Sequence, residues 1–263
     1  MDNVNKTLYI PLYGKAYVSR KGIILRDLKA EEIWEREGFP LKGKSRSRWL
    51  AYYMGMRAAV FDQWLREQMA ETEDPVVIHL GCGMDSRIDR VGSGYAVWYD
   101  VDFPDVISER RRYYTENTHY HMLSSDVRDP EWLRNIPETG TAVVVMEGLS
   151  MYLRLEELRQ VLGMIRNHFA EVRVLIDCYT SFAAKMSGIR NPINDVGGAA
   201  VYGIDDPKTL QEGTGLMFVK EHEMTPLPMI EELQGVEKII FSKIYAGSIS
   251  RKTYRMYEFK STD

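Results

Sequence analysis

The chain has 263 residues, 44% of them hydrophobic and 27% charged, with a formal net charge of −4. That length suits one large α/β domain, or one domain with a substantial cap, better than two independent domains, and the composition is that of a globular chain rather than a disordered one. The near-balanced charge gives no pull toward nucleic acid or an anionic membrane, no apolar run approaches the roughly 20 residues of a membrane span, and two cysteines, Cys82 and Cys178, are too few for a disulfide framework and point to a reducing, cytoplasmic setting.

Along the chain, "MDNVNKTLYIPLYGKAY" has no basic start followed by an apolar stretch, so no signal peptide is expected. A helix is predicted from Asp27, a capping residue, to Gly38, a stop. A longer one is predicted from Ser45 to Thr72, where Leu50, Tyr53, Met54, Arg57, Val60, Phe61, Trp64 and Leu65 recur at three-and-four spacing. After Pro75 come short apolar runs, "VVIHL", "AVWYDVD", "HYHML", "TAVVVME" and "VRVLIDCY", alternating with helical patterns such as "RLEELRQVLGMIRNHFA". That alternation predicts βαβ units and a mainly parallel, doubly wound sheet. The late runs "KIIFSKI" and "RMYEFK" leave little room for a helix between them and are read as an antiparallel pair at one end. The stretch from Ser181 to Leu227 shows no clear strand and is read as a lid or substrate-side insertion. The basic run at Arg110 to Arg112 is read as a solvated helix face.

Ligands of open parallel sheets bind outside the carboxyl ends of the strands. Gly81 and Gly83 stand just past "VVIHL", where missing Cβ atoms permit a tight turn and close approach, and a helix is expected from about Asp85. Ser86 occupies the third position of the dinucleotide fingerprint, so the phosphate cradle of a nicotinamide site is incomplete. Three successive strands end in carboxylates: Asp102, spaced as a ribose-binding acid, then Asp126 and Glu147. Each could also be a cap or a loop acid; Glu147, beside a buried run, needs a partner. Arg57 lies on the apolar stripe of its helix, either in a structural ion pair or ready to take a ligand anion. His119 and His121 share a strand face without a third metal ligand, and no metal site is expected.

Together "VVIHLGCGMDSRIDRV", "WYDVDFPDVISERRR", "SSDVRD" and "MEGLSMYL", with "TLYIPLYGKAYVSRKGIILRD" and "YGIDDPKTL", resemble the leucine carboxyl methyltransferase family. The likeness is to its bacterial branch, similar to O-methyltransferases of tetracenomycin polyketide synthesis, and runs over nearly the whole chain. It implies a Rossmann-like class I methyltransferase fold with an N-terminal helical cap and S-adenosylmethionine as cofactor. The pattern along the chain is read as a single domain with a cap (1–72), a cofactor-binding core (73–180), the insertion (181–227) and C-terminal strands (228–263). By resemblance, Gly81 and its loop pass along the methionine part, Arg57 takes the cofactor carboxylate, and Asp102 takes the ribose hydroxyls. Asp126 and Val127 flank the adenine, Glu147 lies near the sulfonium and amino group, and Lys15, with Lys21 as a rival, stands near the carboxylate. Tyr152 faces the methyl-transfer side. Cys82 stands where many relatives have alanine and is read as packing.

The implied reaction is methyl transfer to a carboxylate or hydroxyl oxygen of a small-molecule acceptor, with no role for nucleic acid or membrane. A carboxylate is ionised at neutral pH and needs no base, which favours it slightly, because no convincing base stands out; Asp177 either serves or caps the next segment. Phe182, Met186, Tyr202 and Met217 line an acceptor pocket or pack the insertion. Two other readings stay open: a nicotinamide-dependent oxidoreductase and a non-catalytic nucleotide-binding protein.

Overall fold

The computed structural model describes residues 8–38, 41, 43–138, 140–190 and 200–262, the side chains of 44 and 188–190 excepted. Val76–Leu80 (β1) is buried at every position, so it has no face to offer water and belongs inside a covered sheet. With β2 (Val97–Asp102), β3 (Tyr120–Ser124), β4 (Thr141–Met146), β5 (Glu171–Tyr179), β6 (Leu216–His222) and β7 (Tyr254–Ser261) it forms a seven-stranded sheet of order β3-β2-β1-β4-β5-β7-β6. β1 to β5 pair in parallel, and β7 runs antiparallel to both β5 and β6. The order reverses between β1 and β4, which opens a crevice past their carboxyl ends.

One face of the sheet is covered by α1 (Tyr9–Lys21), α2 (Leu28–Glu37) and α3 (Arg48–Glu71), whose Leu12, Ile33, Phe61 and Trp64 pack with Val77, Trp98 and Val145. The other face is covered by α6 (Leu155–His168), whose Leu158, Val161, Leu162 and Ile165 pack with Ile78, Val144 and Val174. Glycines lock α1 to α3: a Cβ on Gly14 would stand 2.6 Å from Met54 Cβ, and one on Gly55 would stand 2.8 Å from Val18 Cγ2. This close approach sets Lys15 and Arg57, on neighbouring turns, at the crevice.

Asp27 caps α2 by accepting from the Ala30 amide at 2.8 Å, and Gly38 ends it in the left-handed conformation, as the sequence predicts. Other boundaries differ. The long helix starts at Arg48, capped by Ser47, because Gly43–Arg46 winds as a 3-10 turn rather than continuing back to Ser45. The helix after the glycines, α4 (Arg87–Val91), starts two residues after Asp85 and is short.

"KIIFSKI" is not a strand. It lies in α9 (Gly235–Ile244), between α8 (Leu227–Glu231) and α10 (Ser248–Arg251). Its apolar residues at helical spacing bury one side through Phe241, which meets Tyr52 edge-on. The true partner of "RMYEFK" is β6, inside the stretch expected to hold no strand. That edge strand buries Leu216 yet leaves Met217 and Val219 exposed, so "LMFV" shows no polar alternation to betray it. The 181–227 stretch also contains α7 (Ser181–Arg190); its residues 191–199 lie outside the described residues. Among the described residues, the 228–263 stretch holds three short helices or parts of them and one strand, β7.

Candidate cofactor and acceptor site

A cavity of about 430 Å³ fills the crevice, within the range of ligand sites. Its floor is the loop after β1. Gly81 and Gly83 take φ of +65° and +51°, a region costly for other residues, and Gly81 N–H donates to Val101 at 2.8 Å. Asp102, at the end of β2, ties this loop to the next: it accepts from Gly83 N–H at 2.7 Å and from Phe103 N–H at 2.8 Å. Burial pushes its carboxyl above the usual range, against those two amides and Arg110.

Arg110, at the end of α5 (Pro104–Arg110), holds the same loop from within. It is buried, pairs with Asp100 at 2.6 Å, and donates to the carbonyls of Gly83 at 3.1 Å and Asp85 at 2.6 Å. The solvated-face reading of this run therefore fails at Arg110; Arg111 and Arg112 do reach water. A helix presents residues to opposite sides within three positions, which a charge run conceals.

The crevice wall is a connected set of buried ion pairs. Arg57 meets Glu147 and Asp177, each at 3.0 Å, and donates to the Tyr254 hydroxyl at 3.2 Å; its Nε has no hydrogen-bond partner. Glu147 also binds Arg87, which continues to Asp62 at 2.8 Å. Lys15 meets Asp85 at 3.0 Å, and Arg90 joins Asp85, Asp62 and Asp27 at 2.9, 2.6 and 2.6 Å. Burial opposes ionisation of Glu147, but Arg57 and Arg87 outweigh it and hold the carboxyl down at about 2. Asp177 fares differently: burial and the Glu147 charge raise it to about 6, against Arg57 and the Gly148 amide. With all of these ionised, Lys15, Arg57, Arg87 and Arg90 face Asp27, Asp62, Asp85, Glu147 and Asp177, an excess of one negative charge.

The structure brings Lys15, Arg57, Gly81, Gly83, Asp102, Glu147 and Tyr152 together on the cavity lining. It leaves Asp126 and Val127 off it: Asp126 is engaged by Arg128 at 2.5 Å, and Val127 is buried, its carbonyl accepting from Trp132. Lys21 is occupied elsewhere by Tyr52 and Glu237. Phe182 and Met186 line the cavity while Tyr202 and Met217 do not. Asp177 stands behind Arg57, off the lining. Cys82 lines the cavity as a buried thiol pushed up by burial, so it offers no thiolate. His121 stacks on Tyr99, His119 bonds the Ala96 carbonyl, and no metal-ligating group of three occurs among the described residues. Sequence reasoning missed Asp85, Arg87, Arg90 and Arg110; the one available signal was two arginines, Arg87 and Arg90, three apart beside the glycine loop.

A parallel sheet with a glycine turn after β1, an acid ending β2 and an antiparallel final hairpin defines the class of Rossmann-like methyltransferases. The comparisons narrow this. The leucine carboxyl methyltransferase family model matches residues 6–166. The tetracenomycin polyketide synthesis O-methyltransferase TcmP of Streptomyces glaucescens is 30% identical over 90% of this chain and 89% of its own. The S-adenosyl-L-methionine-dependent methyltransferase dpfgK of Gibberella zeae is 28% identical over 80% and 78%. Among solved structures, magnesium protoporphyrin IX methyltransferase of Synechocystis shares the fold, with a TM-score of 0.53 at 10% identity over 98% of this chain and all of that one. The chain belongs to the leucine carboxyl methyltransferase family, as its motifs implied. It is an S-adenosylmethionine-dependent methyltransferase.

The cavity suits that cofactor. A wall carrying both signs matches an amino-acid zwitterion, the Arg57 Nε is an unused buried donor, and the excess negative charge balances a ligand whose sulfonium makes it a net cation.

Proposed function

We propose that this enzyme transfers a methyl group to a carboxylate or hydroxyl oxygen of a small molecule. The observation that carries this reading is one continuous cavity lined both by buried ion pairs, Lys15–Asp85 and Arg57–Glu147, and by apolar and aromatic side chains. The kinship with TcmP, named an O-methyltransferase, supports oxygen as the acceptor atom. Arg57 and Lys15 are assigned the cofactor carboxylate, and Glu147 and Asp85 its ammonium. Asp102 is assigned the ribose hydroxyls, and the Gly81 backbone the methionine arm. Phe103 and Val106, lining the cavity beside Asp102, are better placed to flank the adenine than Asp126 and Val127. Tyr152 is assigned to the acceptor side.

When bound, the cofactor supplies an electrophilic methyl; the protein's task is to align the acceptor oxygen and exclude water. Side chains of α1, α3 and α7 line the cavity. Among the described residues the titratable groups of the lining are engaged within the protein: Glu147 is held acidic by Arg57 and Arg87, Asp102 accepts from two amides, and His79 lies between Arg87 and Asp100, while Asp177 is off the lining. The acceptor therefore arrives ionised or releases its proton to solvent as it reacts. Titration calorimetry tests the reading. The expected result is saturable binding of S-adenosylmethionine and S-adenosylhomocysteine with none of NADH. Binding of NADH alone would overturn it, as would methyl transfer from labelled cofactor only to nitrogen or carbon acceptors.

A further inference from the structure

His79 is the one polar residue of β1; it is buried and it lines the cavity. An imidazole there needs polar company, because its neighbours along the strand are apolar. The register supplies it: His79 lies beside Asp100 on β2 and beside Val145 on β4. Alternation along the strands turns His79 and Asp100 to the face that carries Val77, Trp98 and Val145, the face that α1, α2 and α3 cover.

Two charged assemblies meet the imidazole from different sides. Toward β2 is Asp100. It accepts from Trp98 Nε1–H at 2.8 Å and from the Tyr120 hydroxyl at 2.6 Å, and it pairs with Arg110, which grips the carbonyls of Gly83 and Asp85. Burial pushes the Asp100 carboxyl up, but Arg110 outweighs it and the group is held at about 2. Toward α4 is Arg87. Its Nε donates to Asp62, one terminal nitrogen donates to Glu147, and the other stands 3.3 Å from His79 Nε2. The two assemblies also approach at the loop, where Arg87 stands 3.5 Å from Asp85. His79 ties them a second time, from the sheet.

A guanidinium carries donors only and an ionised carboxylate acceptors only. His79 Nε2 is therefore the bare nitrogen, since an N–H there would meet an Arg87 N–H head on. The imidazole proton then sits on Nδ1, which faces Asp100 Oδ1 at 3.3 Å in a charge contact rather than an aligned hydrogen bond. The neighbours thus choose the tautomer.

Resting on the methyltransferase reading, we propose that His79 is a positioning residue for the amino-acid end of the cofactor. Held as the Nδ1–H tautomer, it gives Arg87 a third anchor and so fixes the fork that aims Glu147. On its other side it abuts Asp100, whose partner Arg110 fixes the glycine loop and Asp85. Glu147 and Asp85 are the groups assigned to the cofactor ammonium, so one imidazole helps to set the spacing between them. It moves no proton in the reaction; its part is played by the lone pair on Nε2.

The test compares two variants of the full chain. His79→Asn keeps a donor near the place of Nδ1 and loses the acceptor that Arg87 uses, whereas His79→Gln reaches as far as Nε2 and restores it. Both are titrated with S-adenosylhomocysteine by calorimetry beside the parent. The dissociation constant should rise about tenfold in His79→Asn, the scale of freeing one buried charged donor, and stay within about threefold of the parent in His79→Gln. A His79→Asn protein within about twofold of the parent overturns the proposal. So does a His79→Gln protein, folded by thermal melt, that loses as much affinity as His79→Asn. Nitrogen-15 spectra of the unmodified chain at pH 7.5 read the tautomer without any variant. His79, recognised by nuclear Overhauser contact with the Trp98 ring that it meets edge-on, should show a protonated Nδ1 and a bare Nε2, and a proton on Nε2 overturns the proposal. Failure of the parent itself to bind S-adenosylhomocysteine removes the cofactor reading beneath the proposal, a result distinct from a loss seen only in the variants.

Discussion

Replacing Arg57 with methionine separates its two jobs. The change keeps the apolar stem but removes the guanidinium from Glu147 and Asp177, both buried. Removing one partner of a buried pair costs about 3–5 kcal/mol. The structure places this case near the lower bound: Glu147 keeps Arg87, and Asp177, already raised to about 6, takes up a proton at neutral pH once Arg57 is gone. About 3 kcal/mol in a chain of 263 residues corresponds to a melting point lowered by roughly 5 °C. Cofactor binding should fall separately by about 1.5–3 kcal/mol, or roughly 10- to 150-fold, if Arg57 meets the cofactor carboxylate. Urea denaturation reads the first effect and titration with S-adenosylhomocysteine the second. The double change Arg57→Met with Asp177→Asn should restore part of the stability and none of the affinity, because only the structural partner has been neutralised. A folded single variant that binds S-adenosylhomocysteine within twofold of the parent refutes the cofactor role. Unchanged stability refutes the structural one.

Asp102→Asn, which keeps an oxygen for the Gly83 amide, should weaken S-adenosylhomocysteine about tenfold with little change in melting point, whereas Asp102→Ala should also lower stability by about 1 kcal/mol by freeing that amide; equal affinities across all three proteins would remove Asp102 from the site. Gly148→Ala forces a side chain into φ +73° with its Cβ 3.4 Å from the Arg57 nitrogens, so a loss of about 1–2 kcal/mol is expected together with weaker cofactor binding; a variant as stable as the parent contradicts the geometry. Asp177 binds its proton more tightly folded, at about 6, than unfolded, at 3.8, so its share of stability is present below pH 4 and is lost as pH rises through 6. The parent should therefore gain about 2 kcal/mol over Asp177→Asn between pH 7.5 and 4 in urea titrations, and a constant difference would show that Asp177 titrates normally.

Features with a local cause were legible. Asp27 and Gly38 mark a helix because capping and left-handed termination are written in a few adjacent residues. The five core strands are readable because "VVIHL" and "TAVVVM" are too uniformly apolar to lie anywhere but between two layers. The glycine turn and Asp102 follow from the same strand ends. Features set by partners distant in sequence were not. "KIIFSKI" and "LMFV" are both short apolar runs, and which becomes the strand beside β7 depends on what each packs against. Arg110 looks like its neighbours Arg111 and Arg112 until Asp100 is brought against it.

The candidate site divides along the same line. By itself the sequence determined the family, the fold class and the presence of a charge on an apolar helix face, since a buried guanidinium demands a partner whatever the fold. Only the tertiary structure decided who that partner is. Arg57 is met by Glu147 and Asp177, ninety and more positions away, and Lys15 by Asp85. The placing of both Lys15 and Arg57 on one cavity was likewise a tertiary decision, taken where Gly14 and Gly55 let α1 and α3 touch. Pairing energies of this kind depend on separation and burial, and neither quantity exists until the chain has folded.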